Sequence, residues 1–314
     1  MTKCSCESEN NYTYSKIKCS LNQNDVAGVV MMILIFTFIL CLFMSVYRYS
    51  KGQHVGYWLI ASLTILVAII VGFRYQPLVF LYMPSSVLSL VLRTPEILDR
   101  KRFFPHHRRF ESPSSFSKIK QEVSNMLEKT NGGQTLTLTH DTYSGQNAYI
   151  GSDIKSVDGV QRGWRLLNIK VGETYSPDSV HFPHLVSLLE KTPEIKSCVV
   201  SVLEPGIRIP IHVGYYKGIM RYMIPTHVPQ ERDKVFLCVN GKKYNWTEGE
   251  GVLWDDTFAH KVFNNSDEIR VVVYMDVVRP LPIGNSVNNF LIDMVTGSSI
   301  VKDEVKRTEI QVAI

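Results

Sequence analysis

Residues 235–246 read Val235-Phe236-Leu237-Cys238-Val239-Asn240-Gly241-Lys242-Lys243-Tyr244-Asn245-Trp246: an apolar run, an Asn-Gly pair and a second run. A two-residue type I′ turn needs positive φ at both central positions, which Asn and Gly tolerate, so the segment predicts an antiparallel hairpin. Working outward, short β-branched runs recur at 198–203, 207–211 and 218–224 before it, and at 252–254 and 269–275 after it. No long stretch of helical periodicity separates them. A doubly wound parallel sheet needs a crossover helix between strands, so the pattern predicts an all-β core, a double-sheet jelly roll. Helices flank it. Ser112-Pro113 followed by Phe116, Ile119, Val123, Met126 and Leu127 reads as a capped amphipathic helix ending before Asn131-Gly132-Gly133, and a second helix is predicted over 183–191. Phe290, Leu291, Met294 and Val295 have helical spacing within 286–314, which fits a terminal helix or a membrane-surface element.

The N-terminal third is of another kind. Residues 26–46 carry no charge and are long enough, at about 1.5 Å per residue, to cross a hydrocarbon layer of about 30 Å. A second uncharged run, 55–73, follows a short polar turn, with Tyr57, Trp58 and Tyr75 placed as interfacial aromatics. The two predict a transmembrane helical hairpin. The third apolar stretch, 77–92, is shorter and interrupted by Pro84-Ser85-Ser86; it fits a re-entrant or interfacial segment better than a third crossing, which stays open as the alternative. The domain plan is therefore a tail (1–25), two spans (26–75), a membrane-proximal apolar segment and basic linker (76–110), a catalytic domain (111–285) and a C-terminal tail (286–314).

With 314 residues, 45% of them hydrophobic and 20% charged, the chain is too apolar for a disordered tail. Its net charge is +5, and residues 93–109 hold six basic residues against Glu96 and Asp99. Charge so localised argues against a nucleic-acid surface and for a bilayer flank. Lys and Arg near span ends stay cytoplasmic, so the catalytic domain is expected in the cytosol, although Arg48 and Lys51 in the first loop compete for that side. Six cysteines in so long a chain exclude a disulfide mini-scaffold: Cys4, Cys6 and Cys19 are read as free thiols in a loose tail, and Cys198 and Cys238 as buried core residues. The sequons at Asn11, Asn245 and Asn264 carry little weight as tripeptides.

Of nine histidines, seven take a structural reading: His54, His106 and His107 in basic turns, His140 and His227 in turn-like contexts, and His181 with His184 as an HxxH pair interrupted by Pro183. His212 and His260 remain, each at a strand edge. In a jelly roll, strands far apart in sequence face each other across the barrel mouth, where two imidazoles could share one metal. Arg221 and Arg270 stand in apolar strands, where an unpaired guanidinium is costly. Each needs an anion: a buried Asp (Asp255, Asp256 or Asp276) on the structural reading, a bidentately held dicarboxylate on the functional one.

Several pieces recur together: Glu204-Pro205-Gly206, His212 with Arg221 nine residues on, Trp246-xx-Gly249, Asp255-Asp256-Thr257-Phe258-Ala259-His260 with Arg270 ten on, and Asp276-Val277-Val278-Arg279-Pro280. This order resembles the aspartyl/asparaginyl β-hydroxylase family of Fe(II)/2-oxoglutarate dioxygenases, which includes bacterial lipid A hydroxylases. The resemblance covers about residues 150–281, and Gly163-Trp164-Arg165 with 185–195 looks most like the lipid enzymes. It implies a cupin-like double-stranded β-helix in which His212 and His260 bind iron. Arg270, helped by Arg221 and Ser201, holds the 2-oxoglutarate carboxylates, and O2 is the oxidant. Two positions depart from the pattern. Gly214 stands two residues after His212, where a carboxylate ligand is usual in the lipid branch, and Met223 stands where a histidine is frequent. The resulting expectation is a multi-pass membrane hydroxylase acting on Asp/Asn side chains of proteins or on a membrane lipid acyl chain. The alternative is a catalytically inactive, membrane-tethered jelly-roll binding module.

Overall fold

A computed structural model describes residues 6, 23–75, 81–138, 155–157, 160–281 and 284–297. The chain divides into two compact units, one of residues 20–93 with 215–217 and one of the remainder.

The first unit is helical: α1 (Gln23–Ser50), α2 (Gly56–Tyr75) and α3 (Tyr82–Val91). Within α1, Ile33–Ser50 is long and apolar enough to cross a bilayer, and α2 carries a shorter apolar stretch, Gly56–Val71. Both leave large apolar side chains uncovered, among them Phe36, Ile39, Phe43, Ile60, Leu63 and Ile70. Their hydroxyls turn inward: Thr37 donates to the Ile33 carbonyl, Ser45 to Cys41, Ser62 to Trp58 and Thr64 to Ile60, so no side-chain donor among these four faces an apolar surround unpaired. α3 has ten residues, about 15 Å of helix. That is half a crossing; among the described residues no helix in this stretch is long enough for a third span.

The second unit contains β1 (Ile97–Leu98), α4 (Pro113–Lys129), β2 (Thr137–Leu138), β3 (Trp164–Val171), α5 (Pro183–Glu190), β4 (Ile195–Leu203), β5 (Arg208–His212), β6 (Ile219–His227), β7 (Val235–Val239), β8 (Lys242–Asn245), β9 (Val252–Trp254), β10 (His260–Asn264), β11 (Arg270–Val278) and α6 (Ser286–Thr296). A large antiparallel sheet runs β1-β9-β6-β11-β4-β3-β2, and a four-stranded sheet runs β8-β7-β10-β5. The jelly-roll expectation holds in its architecture. Asn240 (φ 48°) and Gly241 (φ 78°) both lie in the left-handed region, as the type I′ hairpin between β7 and β8 requires. Ser112 precedes α4 in extended backbone, but its side chain makes no capping bond; Pro113 at the first turn starts that helix instead.

Strand alternation sorts the large sheet into two faces. Val271, Val273 and Met275 of β11, with Val200 and Val202 of β4, join Ile119, Val123 and Met126 of α4 and Leu185 and Leu189 of α5 in one core. Val272 points the other way, into a second core with Leu237, Val239, Val262, Trp246 and Trp254 contributed largely by the small sheet. The odd positions of β6 and the even positions of β11 thus face the space between the sheets, which is where Arg221, Met223, Arg270 and Tyr274 stand.

Cys6 and Cys238 are joined by a disulfide, which corrects the expectation of free thiols at both. Cys238 is buried on a strand, as expected, but on the other face of β7: Val235, Leu237 and Val239 point into the core between the sheets, whereas Cys238 packs with Phe236, Phe263 and Cys6 in a separate buried cluster. Cys198 is buried and free, as expected. Cys4, Cys19, Asn11 and His140 lie outside the described residues.

The loop after β9 is fixed by a buried ion pair. Arg279 Nη2 lies 2.7 Å from Asp255 Oδ2, and Asp255 also accepts from Thr257 Oγ1 at 2.6 Å. Removing one partner of such a pair leaves a buried charge uncompensated, so Asp255→Ala should cost about 3–5 kcal/mol. Urea unfolding that shows less than about 1 kcal/mol would contradict this reading of the loop.

Candidate active site

His212 closes β5 and His260 opens β10, and the two are direct partners in the antiparallel register. This corrects the expectation that they meet across the barrel mouth from distant strands: they stand side by side on neighbouring strands of the small sheet. Directly opposed residues bring their side chains within contact reach, and a register shift follows between His260 and Val262. The ring centroids are 4.0 Å apart at 57°. Each Nδ1 lies 2.8 Å from a carbonyl two residues back, Pro210 O for His212 and Phe258 O for His260. Nδ1–H donation to those carbonyls leaves both Nε2 lone pairs available, the arrangement in which imidazole binds a metal.

The surroundings keep both rings neutral. Desolvation lowers His212 to about 4, with Arg221 adding to the effect and the Pro210 carbonyl opposing it. His260 is pushed well below the ordinary value by burial first and by His212 second. Metal binding must compete with protons at each ligand. Two ordinary histidines (pKa about 6.5) would lose roughly seventyfold in doubly neutral population between pH 7 and 5.5. This pair should lose less than about threefold over that range, because burial holds His212 at about 4 and pushes His260 well below its ordinary value. Calorimetric titration with Mn(II) at both pH values checks it; a tenfold or larger weakening would sink the claim.

Among the described residues no group of three or more His, Cys, Asp or Glu is placed to share a metal. The protein donors here are two histidines. At Gly214, where a third ligand would be sought, an added Cβ would lie 2.3 Å from the Asp256 carboxylate. Asp256 therefore occupies the space that a side chain at 214 would need. Its carboxylate is paired with Arg221 Nη2 at 3.2 Å, and burial raises its pKa to about 6, against the lowering effect of Arg221.

The two arginines differ sharply. Arg221 is also bound to Asp276 Oδ1, at 3.0 Å from Nε, and its guanidinium lies over the Tyr274 ring at 4.9 Å. It has the carboxylate partners of the structural reading. Arg270 is 1% exposed, and its Nε and Nη1 have no hydrogen-bond partner. Burial alone moves its pKa, down to about 9. No carboxylate pairs with it among the described residues.

His212, His260, Arg221, Arg270 and Ser201 all line one small cleft, walled by Trp164, Met223, Trp254 and Tyr274. Ser201 Oγ accepts from Trp164 Nε1 at 2.9 Å, which leaves its own proton free to donate into the cleft. The structure thus brings together every residue that the sequence nominated. Trp164 and Asp256 are the additions. Trp164 lies on a strand whose alternation is masked by Arg165 and Lys170, and Asp256, which the sequence offers as a partner for arginine or as a less favoured ligand swinging in, takes the space beside Gly214 instead. Four of the other described histidines have partners away from the cleft: His184 with Ser115 (2.8 Å), His227 with Ser124 (3.3 Å), His107 with the Phe104 carbonyl (2.7 Å) and His106 with Glu194.

The sequence profile of the aspartyl/asparaginyl beta-hydroxylase family matches residues 114–280, more than half of the chain. The chain belongs to this family. An ornithine lipid ester-linked acyl 2-hydroxylase from Rhizobium tropici is 29% identical over 132 residues, covering 42% of this chain and 47% of that protein. The human aspartyl/asparaginyl beta-hydroxylase is 31% identical over 103 residues, covering 31% of this chain and 13% of that protein. The match therefore spans about half of the first relative and a small part of the second. Among solved structures, a Pseudomonas putida prolyl-4-hydroxylase aligns at TM-score 0.35 and 12% identity over 53% of this chain and 88% of that one. A 2OG-Fe(II) oxygenase-family oxidoreductase from Burkholderia pseudomallei aligns at TM-score 0.32 and 12% identity over 44% and 78%. Family membership makes the chain a hydroxylase-family protein.

Proposed function

We propose that the chain is a membrane-anchored, Fe(II)- and 2-oxoglutarate-dependent hydroxylase acting on Asp/Asn side chains of proteins or on a membrane lipid acyl chain. The observation that carries this reading is the buried Arg270, which has no carboxylate partner among the described residues, only the Trp246 ring at 5.8 Å, and whose Nε and Nη1 are unpaired, in the same cleft as two neutral histidines. A buried unpaired guanidinium is costly, and a site that holds one is built for an anion.

The residues fit the implied groups. His212 and His260 would hold Fe(II) through Nε2, and Arg270 would clamp the distal carboxylate of 2-oxoglutarate. When bound, iron supplies O2 activation coupled to oxidative decarboxylation of 2-oxoglutarate to succinate and CO2. The protein's part is orientation and exclusion of water. Arg270 fixes one end of the co-substrate, the Ser201 hydroxyl donates beside it, and Trp164, Trp254 and Met223 make the walls apolar. Arg221, its charge already met by Asp256 and Asp276, serves as a braced wall residue and holds Asp256 in place. The uncovered apolar faces of α1 and α2 support the anchor.

The test is succinate formation by the full chain in detergent or vesicles with Fe(II), ascorbate, 2-oxoglutarate and O2, with and without Asp/Asn peptides and with ornithine-type acyl lipids. Turnover stimulated by one class and lost in His260→Ala supports the reading and selects the substrate. Metal-loaded protein that neither binds nor turns over 2-oxoglutarate overturns it and leaves the inactive binding module.

A further inference from the structure

The outward face of the small sheet carries an apolar patch, Phe236, Cys238 and Phe263, with the Phe236 and Phe263 rings 4.7 Å apart. Cys6 is seated on it, 6% exposed and bonded to Cys238 across 232 residues of sequence. The pairing is selective: Cys198, on the inward-packed β4, is fully buried and stays free. Disulfides of this structural kind persist in oxidising compartments and are rare in the cytosol. We infer that Cys6 and the catalytic domain lie together on an oxidising, extracytoplasmic side of a membrane, with an even number of crossings between them, and that Asn245 is an N-glycosylation site there. The inference rests on the membrane-anchor reading above.

A covalent bond cannot cross a bilayer, so one or three crossings between residues 6 and 238 are excluded by the disulfide. With the 20-residue α2 taken as the return crossing after α1, and the ten-residue α3 too short for a third, the count is two. In that topology the α1–α2 loop, bearing Arg48 and Lys51, is the cytoplasmic part, which satisfies the preference of basic residues for that side. The basic run at 93–109 had pointed the other way, but part of it is committed to the fold. Arg100 Nε lies 3.1 Å from Glu111 Oε1, and Arg109 Nη1 donates to Thr192 Oγ1 at 3.2 Å and to the Lys191 carbonyl. The two folded-domain sequons then separate cleanly. Asn245 is exposed on β8, an edge strand, where its Nδ2 donates to the Asp233 carboxylate at 3.1 Å on the surface. Asn264 is fully buried, its Nδ2 donating to the carbonyls of Leu203, Glu204 and Glu268, so a glycan there is incompatible with the fold.

The experiment is synthesis of the full chain into sealed endoplasmic-reticulum microsomes, in an Asn11→Gln background so that the tail sequon does not contribute. The expected result has three parts: a domain resistant to added protease until the vesicles are opened, one endoglycosidase-sensitive increment that Asn245→Gln removes, and a Cys6–Cys238 peptide by non-reducing mass mapping with Cys198 alkylated. Cys6→Ser should free Cys238 for alkylation while protection and glycan persist, so the compartment is read independently of the bond. A domain digested in sealed vesicles with Cys238 alkylated overturns the inference. Protection without the increment overturns the Asn245 assignment. Release of the chain by alkaline carbonate would instead overturn the membrane-anchor reading, so the two failures are distinguishable.

Discussion

Arg270→Leu is expected to raise the KM for 2-oxoglutarate at least about hundredfold, or to abolish turnover, while leaving the fold as stable as before or stabilising it by about 1–3 kcal/mol. The combination is the point. Truncating a guanidinium that serves the fold strands its partner and destabilises, but Arg270 Nε and Nη1 have no partner to strand. Its burial is a cost that the protein carries without the anion, as its lowered pKa shows. Leu, shorter but apolar, removes that cost among Val272, Leu237 and Trp246. Arg221→Leu makes the contrast. It leaves Asp256 and Asp276 without their shared cation, and should lose stability and activity together. Urea melts and succinate kinetics on both variants decide it. An Arg270→Leu protein destabilised by more than about 2 kcal/mol would mean that this residue holds the fold rather than a ligand.

Much of this was legible in the sequence because local chemistry and tertiary context agree. The runs at 235–239 and 252–254 became strands with those bounds, since β-branched residues, a type I′ turn and two-sided burial all favour the same conformation. β3 was missed because Arg165 and Lys170 interrupt its apolar pattern. Their charges are met by distant groups, Glu204 Oε2 at 3.1 Å from Arg165 Nε and the Ile195 carbonyl at 3.1 Å from Lys170 Nζ, which no local window contains. β10 was missed for a related reason: it begins at the histidine taken as a strand edge. The pairing of His212 with His260 was nominated, but its geometry was not, since register between strands 48 positions apart is a property of the sheet. The disulfide was read wrongly because burial and alternation cannot tell the inward from the outward face of β7 without knowing what covers each.

Gly214→Asp is the second large effect, and its expected direction opposes the intuition that a missing third ligand could be restored. Space decides. A Cβ at 214 would lie 2.3 Å from the Asp256 carboxylate carbon and oxygens, closer than any van der Waals contact, so even Gly214→Ala must displace Asp256. That displacement breaks its pairing with Arg221 (3.2 Å) and strains the loop that the Gly214 N–H to Asp256 carbonyl bond (2.7 Å) holds against β5. Overpacking of this kind costs about 1–3 kcal/mol, and misplacing a group beside the metal donors costs roughly a hundredfold in rate. Gly214→Ala and Gly214→Asp should therefore both fall about a hundredfold or more in succinate formation. The double variant Gly214→Asp/Asp256→Gly, which moves the carboxylate to the segment after β5 and reopens the space, should recover at least about tenfold over Gly214→Asp, and should bind Mn(II) more tightly because a third protein donor is then adjacent. If Gly214→Asp alone raised metal affinity and turnover, Asp256 would be a mobile neighbour rather than the occupant of that space. If the double variant recovered nothing, the loss would lie in the backbone near 214 and not in the competition of two carboxylates for one volume.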